Sequence, residues 1–501
     1  MAAMLAALAV SFDHLLFDGG LIYLSLGTLI GLLFGVIPGL GGPTALALLI
    51  PLTFGVDASA AMFFAGGIMG AIPAGGSVTA ILLNTPGTAP NAATVYDGYP
   101  MTKRGEAGIA LGAAAAASSI GGLLGICILF LVLPVARNVI LNFAPPEFFM
   151  LAVLGLCAIA ASSEGKLIRG LLASAVGLMI AFVGYDNVGG EVRFAFGVEY
   201  LWDGVPLVPA LIGLFAIAQI MALGLAGGSI ADDPAAVRVS RVSDGVRAVL
   251  RNFGTVLRGS TIGAVVGAIP GVGGTVAAFL AYSVTVQLSD EPETFGKGNV
   301  RGVIAPEAAN NAREGGALIP TLAFGIPGSA EMAVFLGLLI LHGLQPGPSL
   351  LINHLDVVTS LLLSLALASV LASVLCLAAA RRLALLTLVD VNWLTPIILA
   401  ISTLGAYALR SSMIDAIVAV IFGFLGYLMI RFDYPRLPLV IALFLGEVVE
   451  TNFRQSMMIA RGDWTIFFTR GLSLTLFLLI VLSLAVPLIR SLRRVRSRCA
   501  P

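Results

Sequence analysis

Charged positions are spread so unevenly along this chain that the uncharged stretches define its elements. Residues 107–136, 204–231, 357–380 and 471–489 contain no Asp, Glu, Lys or Arg. Each is long enough to cross a bilayer core as one helix, which takes about 20 apolar residues. The last two are dense in Leu, Val and Ala and read as plain spanning helices. Residues 19–56 and 58–96 are also uncharged, but too long for one crossing. Gly and Pro interrupt both. The first contains Ile37-Pro38-Gly39-Leu40-Gly41-Gly42, the second Pro73-Ala74-Gly75-Gly76 and Thr85-Pro86-Gly87. Pro removes a helical hydrogen bond and Gly loosens the backbone. These stretches therefore predict helix pairs, hairpins or half-helices rather than clean single spans.

Composition sharpens this into a solvent assignment. The 501 residues are 58% hydrophobic and 11% charged, with a mean hydropathy of +1.03. Soluble proteins carry about 25% charged residues, so this chain has too little polar surface to cover a soluble body. One apolar stretch could be a helix buried in a soluble core, but several argue against it. The fold class expected is an all-α polytopic membrane protein with roughly ten to fourteen membrane segments.

Formal net charge is zero, which suggests no nucleic-acid partner. Basic residues cluster at Arg238, Arg241, Arg247, Arg251 and Arg258, and again from Arg490 to Arg498. Beside spanning helices, such clusters mark the cytoplasmic side. Cys127, Cys157, Cys376 and Cys499 are scattered without CxxC or metal spacing, so neither a disulfide framework nor a zinc site is suggested. The apolar start, 1–10, lacks a basic region and does not read as a cleaved signal peptide.

The interrupting motifs recur. Ile37-Pro38-Gly39-Leu40-Gly41-Gly42 returns as Ile269-Pro270-Gly271-Val272-Gly273-Gly274. Gly75-Gly76 followed by Pro86-Gly87-Thr88-Ala89 returns as Gly315-Gly316 followed by Pro327-Gly328-Ser329-Ala330. Arg137 and Arg382 precede similar apolar stretches, and Ser162-Ser163 resembles Ser411-Ser412. Motifs in one order at slowly drifting offsets suggest an internal duplication: a first repeat over 1–231, an arginine-rich cytoplasmic linker over 232–258, and a second repeat over 259–501. Lys103 and Arg104 place one loop inside, and the arginine loop is inside too. Four spanning candidates lie between them (107–136, 147–162, 167–185 and 204–231), with Lys166 and Arg169 at the expected inside turn. The first repeat reaches the cytoplasm at Lys103 and the second leaves it at Arg258, so the halves should have inverted topology, a common transporter plan.

The candidate chemistry lies in these breaks. A helix broken at membrane depth frees N–H groups at one fragment's start and carbonyls at the other's end. The N–H groups suit a carboxylate, and the carbonyls suit Na⁺. Close helix packing by small residues is the structural alternative. Candidate substrate or ion ligands are Pro38, Gly39, Gly41 and Gly42, with Pro270, Gly271, Gly273 and Gly274. Beside them stand Asn84, Thr85, Pro86, Gly87 and Thr88, with Asn91 and Thr94 beyond, and Pro327, Gly328 and Ser329 followed by Glu331. Amides and hydroxyls bind such ligands without the full cost of a buried charge; the alternative has them bonded to their own helices. Glu307, Asn310 and Asn311, in the polar segment 306–314, fit either a gate or coupling site or a solvated loop. His14, His342 and His354 show no ligand spacing. GxxxxGK[ST], HExxH and GxSxG are absent, so neither ATP hydrolysis nor an enzyme is expected and no cofactor is implied.

Together these segments resemble the large membrane subunit of tripartite tricarboxylate transporters, the TctA family. The resemblance rests on 35–42, on 75–87, and on Asp97-Gly98-Tyr99-Pro100-Met101. It continues in 305–312, 325–329 and His342-Gly343-Leu344-Gln345-Pro346-Gly347-Pro348. It implies a small transmembrane subunit and a periplasmic solute-binding protein as partners. It also implies a carboxylate substrate, a Na⁺ or H⁺ gradient as driving force, elevator-like movement, and residence in the bacterial inner membrane; a homodimer is compatible with it. The chain departs from many relatives in having Thr88 where they have an acid and Glu331 where they have a small residue, so Glu331 is a candidate replacement across the pseudo-twofold axis. Two other readings are a stand-alone ion-coupled carrier, channel or exchanger, and a membrane enzyme acting on lipid-linked substrates.

Overall fold

The computed structural model describes residues 2–140, 142–161, 167–186, 189–226, 239–385 and 391–498. Ser162, Ser163, Lys166, Arg238 and Cys499, with the first part of the expected linker, lie outside them. The first half begins with α1 (Ala2–Phe17) and α2 (Gly20–Val36), which meet at 82°. The chain then reverses at 37–41 into α3 (Gly42–Leu49), and follows with α4 (Ala58–Leu83), α5 (Ala92–Lys103) and α6 (Ala107–Ile140). Next come α7 (Pro145–Ala161), α8 (Leu167–Ala181) and a two-strand antiparallel hairpin, β1 (Gly184–Tyr185) with β2 (Val192–Arg193). α9 (Leu207–Leu211) continues through a π-helical stretch, Ile212–Ile217, into α10 (Ala218–Ala226).

The second half opens on a surface helix, α11 (Val242–Arg251), whose Gly245 and Val249 are buried while Arg247 and Arg251 face outward. α12 (Phe253–Gly267) and α13 (Gly273–Gln287) form another reversal, followed by α14 (Arg301–Phe324), α15 (Ala330–Leu341), α16 (Pro348–Asn353) and α17 (Leu355–Leu385). α18 (Val391–Ala408), α19 (Met413–Arg431), α20 (Arg436–Ile459), α21 (Ile466–Thr469) and α22 (Gly471–Arg498) complete the chain. Among the described residues, five helices are long and apolar enough to cross a membrane, or six if α1 and α2 count as one bent span. Much of the remaining apolar sequence sits in shorter helices such as α3, α7, α8 and α15. The outward faces of α2 and α19 expose Leu21, Ile22, Leu26 and Leu29, and Ile417, Val420, Ile421 and Phe424. Such bands suit lipid, not water.

Glycine stripes set the helix packing. α2 lies on α4 with Gly27, Gly31 and Gly35 facing the backbone of Phe64, Ile68 and Ile72; a Cβ on these glycines would stand 2.2, 2.5 and 2.3 Å from those carbonyl oxygens. α12 lies on α14 in the same way, with Gly259, Gly263 and Gly267 at 2.7, 2.2 and 2.4 Å from the oxygens of Ala305, Ala309 and Arg313. Helices driven by packing rather than water approach this closely only where side chains vanish.

Both reversals are hairpins that stop part-way. Their turns use left-handed backbone, φ +89° at Gly39 and +82° at Gly271, which glycine adopts without penalty. The 15-residue α13 is about 22 Å long, short of a bilayer core of roughly 30 Å. The α2–α3 turn comes level with Ile72 of α4, and the α12–α13 turn level with Arg313 of α14. They enter from opposite ends. Thr53, beyond α3, meets His342 at 3.0 Å. At the open end of the other hairpin, Arg104 bonds the Lys297 carbonyl in the loop after α13, Arg301 bonds Asn252, and Tyr282 bonds Asp97.

One expectation is corrected. Pro73-Ala74-Gly75-Gly76 does not interrupt its helix; α4 runs unbroken from Ala58 to Leu83, and the chain leaves it only at Asn84. One lost N–H is tolerated where tight packing holds the helix straight, and the Pro73 carbonyl still accepts from Ser77 Oγ and Asn91 Nδ2. The second ambiguity resolves too: 306–314 is no solvated loop but the buried middle of α14.

Candidate anion site

The two hairpin turns meet around a cavity of about 420 Å³. Four helix starts converge on its wall: α3 at Gly41 and Gly42, the turn leading into α5 at Ala89 and Pro90, α13 at Gly274 and Thr275, and α15 at Ser329 and Ala330. The starts of α3, α13 and α15 present backbone N–H groups without helical partners and a partial positive charge of about half a unit each; the turn into α5 offers the Ala89 N–H alone, since Pro90 has none and the Asn91 and Ala92 N–H groups bond carbonyls of the turn itself. Ser329 Oγ takes up the Met332 N–H at 3.2 Å. The breaks before α3, α13 and α15 thus bring three weak dipoles to one volume.

Side chains add charge. Arg313 and Asn310 reach the cavity from α14, and Glu331 from α15. Arg313 is 7% exposed, Glu331 6% and Asn310 2%. Arg313 Nη2 bonds the neighbouring Glu314 carboxylate and lies 3.6 Å from Glu331 Oε2. Its Nε and both polar atoms of Asn310 are buried without a hydrogen-bond partner. Such orphans are costly, and here they line a space. The hairpins press on the charges: a Cβ at Gly42 would stand 2.3 Å from Glu331 Oε1, and one at Gly274 2.6 Å from Arg313 Nε. The second glycine of each GG pair is therefore space for a charged side chain.

The expected residues divide into four groups. Gly39, Gly41, Gly42, Pro86, Gly87, Thr88, Gly274, Ser329 and Glu331 line the cavity, as does Asn310. Pro38, Pro270, Gly271, Gly273, Pro327 and Gly328 lie in the same turns but off the lining, with the Gly271 N–H donating to the Gly328 carbonyl at 3.1 Å. Asn84 ends α4 in left-handed backbone, and the Thr85 hydroxyl is spent on the Leu83 carbonyl. Glu307 lies apart, fully buried among side-chain donors, and Asn311 donates to the Glu307 carbonyl. Thr88 and Glu331, the two departures, share the cavity wall. Arg313 was not singled out as a site residue in the sequence. Its signal was small residues at helical spacing around it, Ala305, Ala308, Ala309, Ala312 and Gly316, which mark a helix packed on several sides.

Residues 21–441 match the sequence profile of the Tripartite tricarboxylate transporter TctA family. The chain belongs to that family. It is also similar to a protein of Agrobacterium vitis described as "Uncharacterized 52.8 kDa protein in TAR-I ttuC' 3'region", 32% identical over 99% of both chains. A shorter one from the same organism, "Uncharacterized protein in TAR-II ttuC' 3'region", is 33% identical over 46% of this chain and 97% of its own length. No solved structure matches. This TctA-family protein is thus a multi-pass membrane transporter subunit of a tricarboxylate transporter family, a transport rather than an enzyme family, and "tripartite" in its name implies partner subunits.

Proposed function

We propose that this TctA-family chain is the large permease subunit of a binding-protein-dependent secondary transporter that imports a tricarboxylate or related carboxylate. The observation that carries this reading is the cavity with four helix starts and the half-free guanidinium of Arg313. A carboxylate fits such a site, since each oxygen can accept from a different N–H. Glu314 and Glu331 outnumber Arg313 by one charge, which the starts of α3, α13 and α15 offset with about half a positive charge each. The balance favours an anion.

The chain is read as two inverted repeats, 1–231 and 259–501, joined by the linker 232–258. Three glycine contacts recurring between matched helices support this, as do hairpins that enter from opposite ends. Lys103, Arg104, Arg251, Arg258 and Lys297 gather at one end, supporting a cytoplasmic face there and residence in the bacterial inner membrane. A small transmembrane subunit and a periplasmic binding protein complete the machine, a Na⁺ or H⁺ gradient drives it, and the hairpin-bearing body moves as an elevator.

The test is uptake of labelled di- and tricarboxylates into proteoliposomes holding this chain and the small subunit. Binding protein and Na⁺ or proton gradients are added one at a time. Uptake that needs binding protein and gradient is expected. Uptake without binding protein would replace this reading by a stand-alone carrier, and no uptake from folded, oriented protein would overturn the substrate class.

A further inference from the structure

Beside the cavity, and separated from it by Asn91, lies a carboxylate that the anion site does not use. Glu307, in the middle of α14, is 0% exposed. Ser77 Oγ on α4 donates to its Oε2 at 2.6 Å and Ser118 Oγ on α6 at 2.9 Å. Thr94 Oγ1 on α5 donates to Oε1 at 2.5 Å and Asn91 Nδ2 at 3.3 Å. Among the described residues no cation bonds this carboxylate. Of the groups on the packed elements, α17 offers the Cys376 thiol, and α5 offers Asp97, already bonded by Gly298, Asn299 and Tyr282. Lys103, Tyr96 and Tyr99 lie toward the ends or outer face of α5, Arg137 lies at the far end of α6, and Arg258 on α12 is exposed. Arg313 and Glu314 lie farther along α14 and pair with each other. A carboxylate this deep is tolerated only when its charge is neutralised or fully solvated by fixed donors.

We propose that Glu307 binds the coupling ion as a proton, and that Asn91 and Thr88 link its state to the anion cavity. This rests on the transport reading above. The hydrogens allow both charge states. With Glu307 ionised, Ser77, Ser118, Thr94 and Asn91 donate to it. When a proton arrives on Oε2, the new O–H donates to Ser77 Oγ, and Ser77 turns its own hydrogen to the Pro73 carbonyl, 2.9 Å away. No donor loses an acceptor, and the only movement is one hydroxyl rotation. A void of about 10 Å³ borders Ser77, Ser118 and Cys376. That is at the lower limit of the room one water needs, and too little for a hydrated sodium ion.

The link to the cavity is direct. Asn91 directs its amide nitrogen to Glu307, Ser77 and the Pro73 carbonyl, so its Oδ1 takes the Thr88 hydroxyl hydrogen. Thr88 lines the cavity. An anion that draws the Thr88 hydrogen to itself frees Asn91 and weakens the donor shell that holds Glu307 ionised. Anion binding and protonation of Glu307 therefore favour each other. At the repeat offset of 240 or 241 residues the first half has Gly67 or Gly66 in place of Glu307.

Infrared difference spectra test this on the purified full-length chain in lipid nanodiscs, stepped in pH at fixed sodium. Glu307→Gln is isosteric, and its folding is checked by elution profile and Tm. Wild type should show a carboxylic-acid carbonyl band that titrates, shifts in Ser77→Ala, and is lost in Glu307→Gln. The same titrating bands in wild type and Glu307→Gln would overturn the proposal, as would a carboxylate band that follows sodium at fixed pH. In proteoliposomes, [¹⁴C]citrate accumulation driven by a pH gradient should be lost in Glu307→Gln and partly regained in Glu307→Asp; accumulation equal to wild type in Glu307→Gln would also overturn it. If wild type moves no carboxylate at all, the transport reading fails, and the infrared result still decides the proton site.

Discussion

On the proposed reading, Arg313 is the residue on which anion recognition turns. Its guanidinium is tied to Glu314 on one side while Nε stays free toward the cavity, so a ligand carboxylate can complete its bonding without first breaking that pair. Removing one partner from a buried, hydrogen-bonded charge pair costs at least about 2 kcal/mol. Arg313→Gln should therefore raise the apparent KM for carboxylate uptake by roughly 30-fold or more. Because the substitution leaves Glu314 and Glu331 uncompensated, Arg313→Gln/Glu331→Gln serves as the folding control, and an unchanged KM in both would remove Arg313 from the site. Gly42→Ala acts from the other side. Its Cβ would strike the Glu331 carboxyl, a side-chain tip that can swing away, so the protein should fold with a normal Tm while uptake falls. At this scale the sequence was half legible. Pro38-Gly39 and Pro270-Gly271 announce breaks because they act on their own backbone. Arg313, in a polar segment, looks the same on a surface as in a core, and only the covering helices decide which.

The helices are placed by what glycine lacks, so small side chains at regular spacing carry more information than the polar motifs. Gly263 shows the competition of magnitudes. Alanine there would gain about 1 kcal/mol in helix propensity, but its Cβ would stand 2.2 Å from the Ala309 carbonyl oxygen. That oxygen is backbone and yields only if α12 and α14 part, a kind of overpacking that costs about 1–3 kcal/mol. Gly263→Ala should thus lower the Tm in detergent, whereas Gly254→Ala, on the same helix with nothing within 4 Å, should leave it equal or raise it. The opposite order would mean that propensity, not close approach, fixes these positions. The spacing of Gly27, Gly31 and Gly35, repeated at Gly259, Gly263 and Gly267, was present in the sequence as a packing signal. Pro73 pointed the wrong way because a proline's effect on a helix depends on how firmly the neighbours hold it, and α4 is buried on nearly every side.

Across the whole molecule, the two hairpins, α4, α6, α14 and α17 pack into one body around the cavity and Glu307, while α7, α8, α20 and α22 pack with one another beside it. An elevator needs such a division, with a sliding seam between a body that carries the anion and one that stays in place. On the elevator reading proposed above, that seam would run where α7 meets the loop between α14 and α15: Ile326 Cγ2 lies 2.9 Å from where a Gly155 Cβ would stand, and Gly271 backs onto Ile159 nearby. That separation brings a cysteine pair within reach of disulfide geometry. In a background without the native cysteines, oxidised Gly155→Cys/Ile326→Cys should stop uptake, and reduction should restore it. Each single variant, treated with the same oxidant, should be unaffected by it. A rocking or gating motion elsewhere would leave this contact unbroken through the cycle. Complete cross-linking with uptake at its reduced rate would therefore exclude sliding here, while reversible arrest would mean that the body holding Arg313 and Glu307 must leave α7 in every turnover.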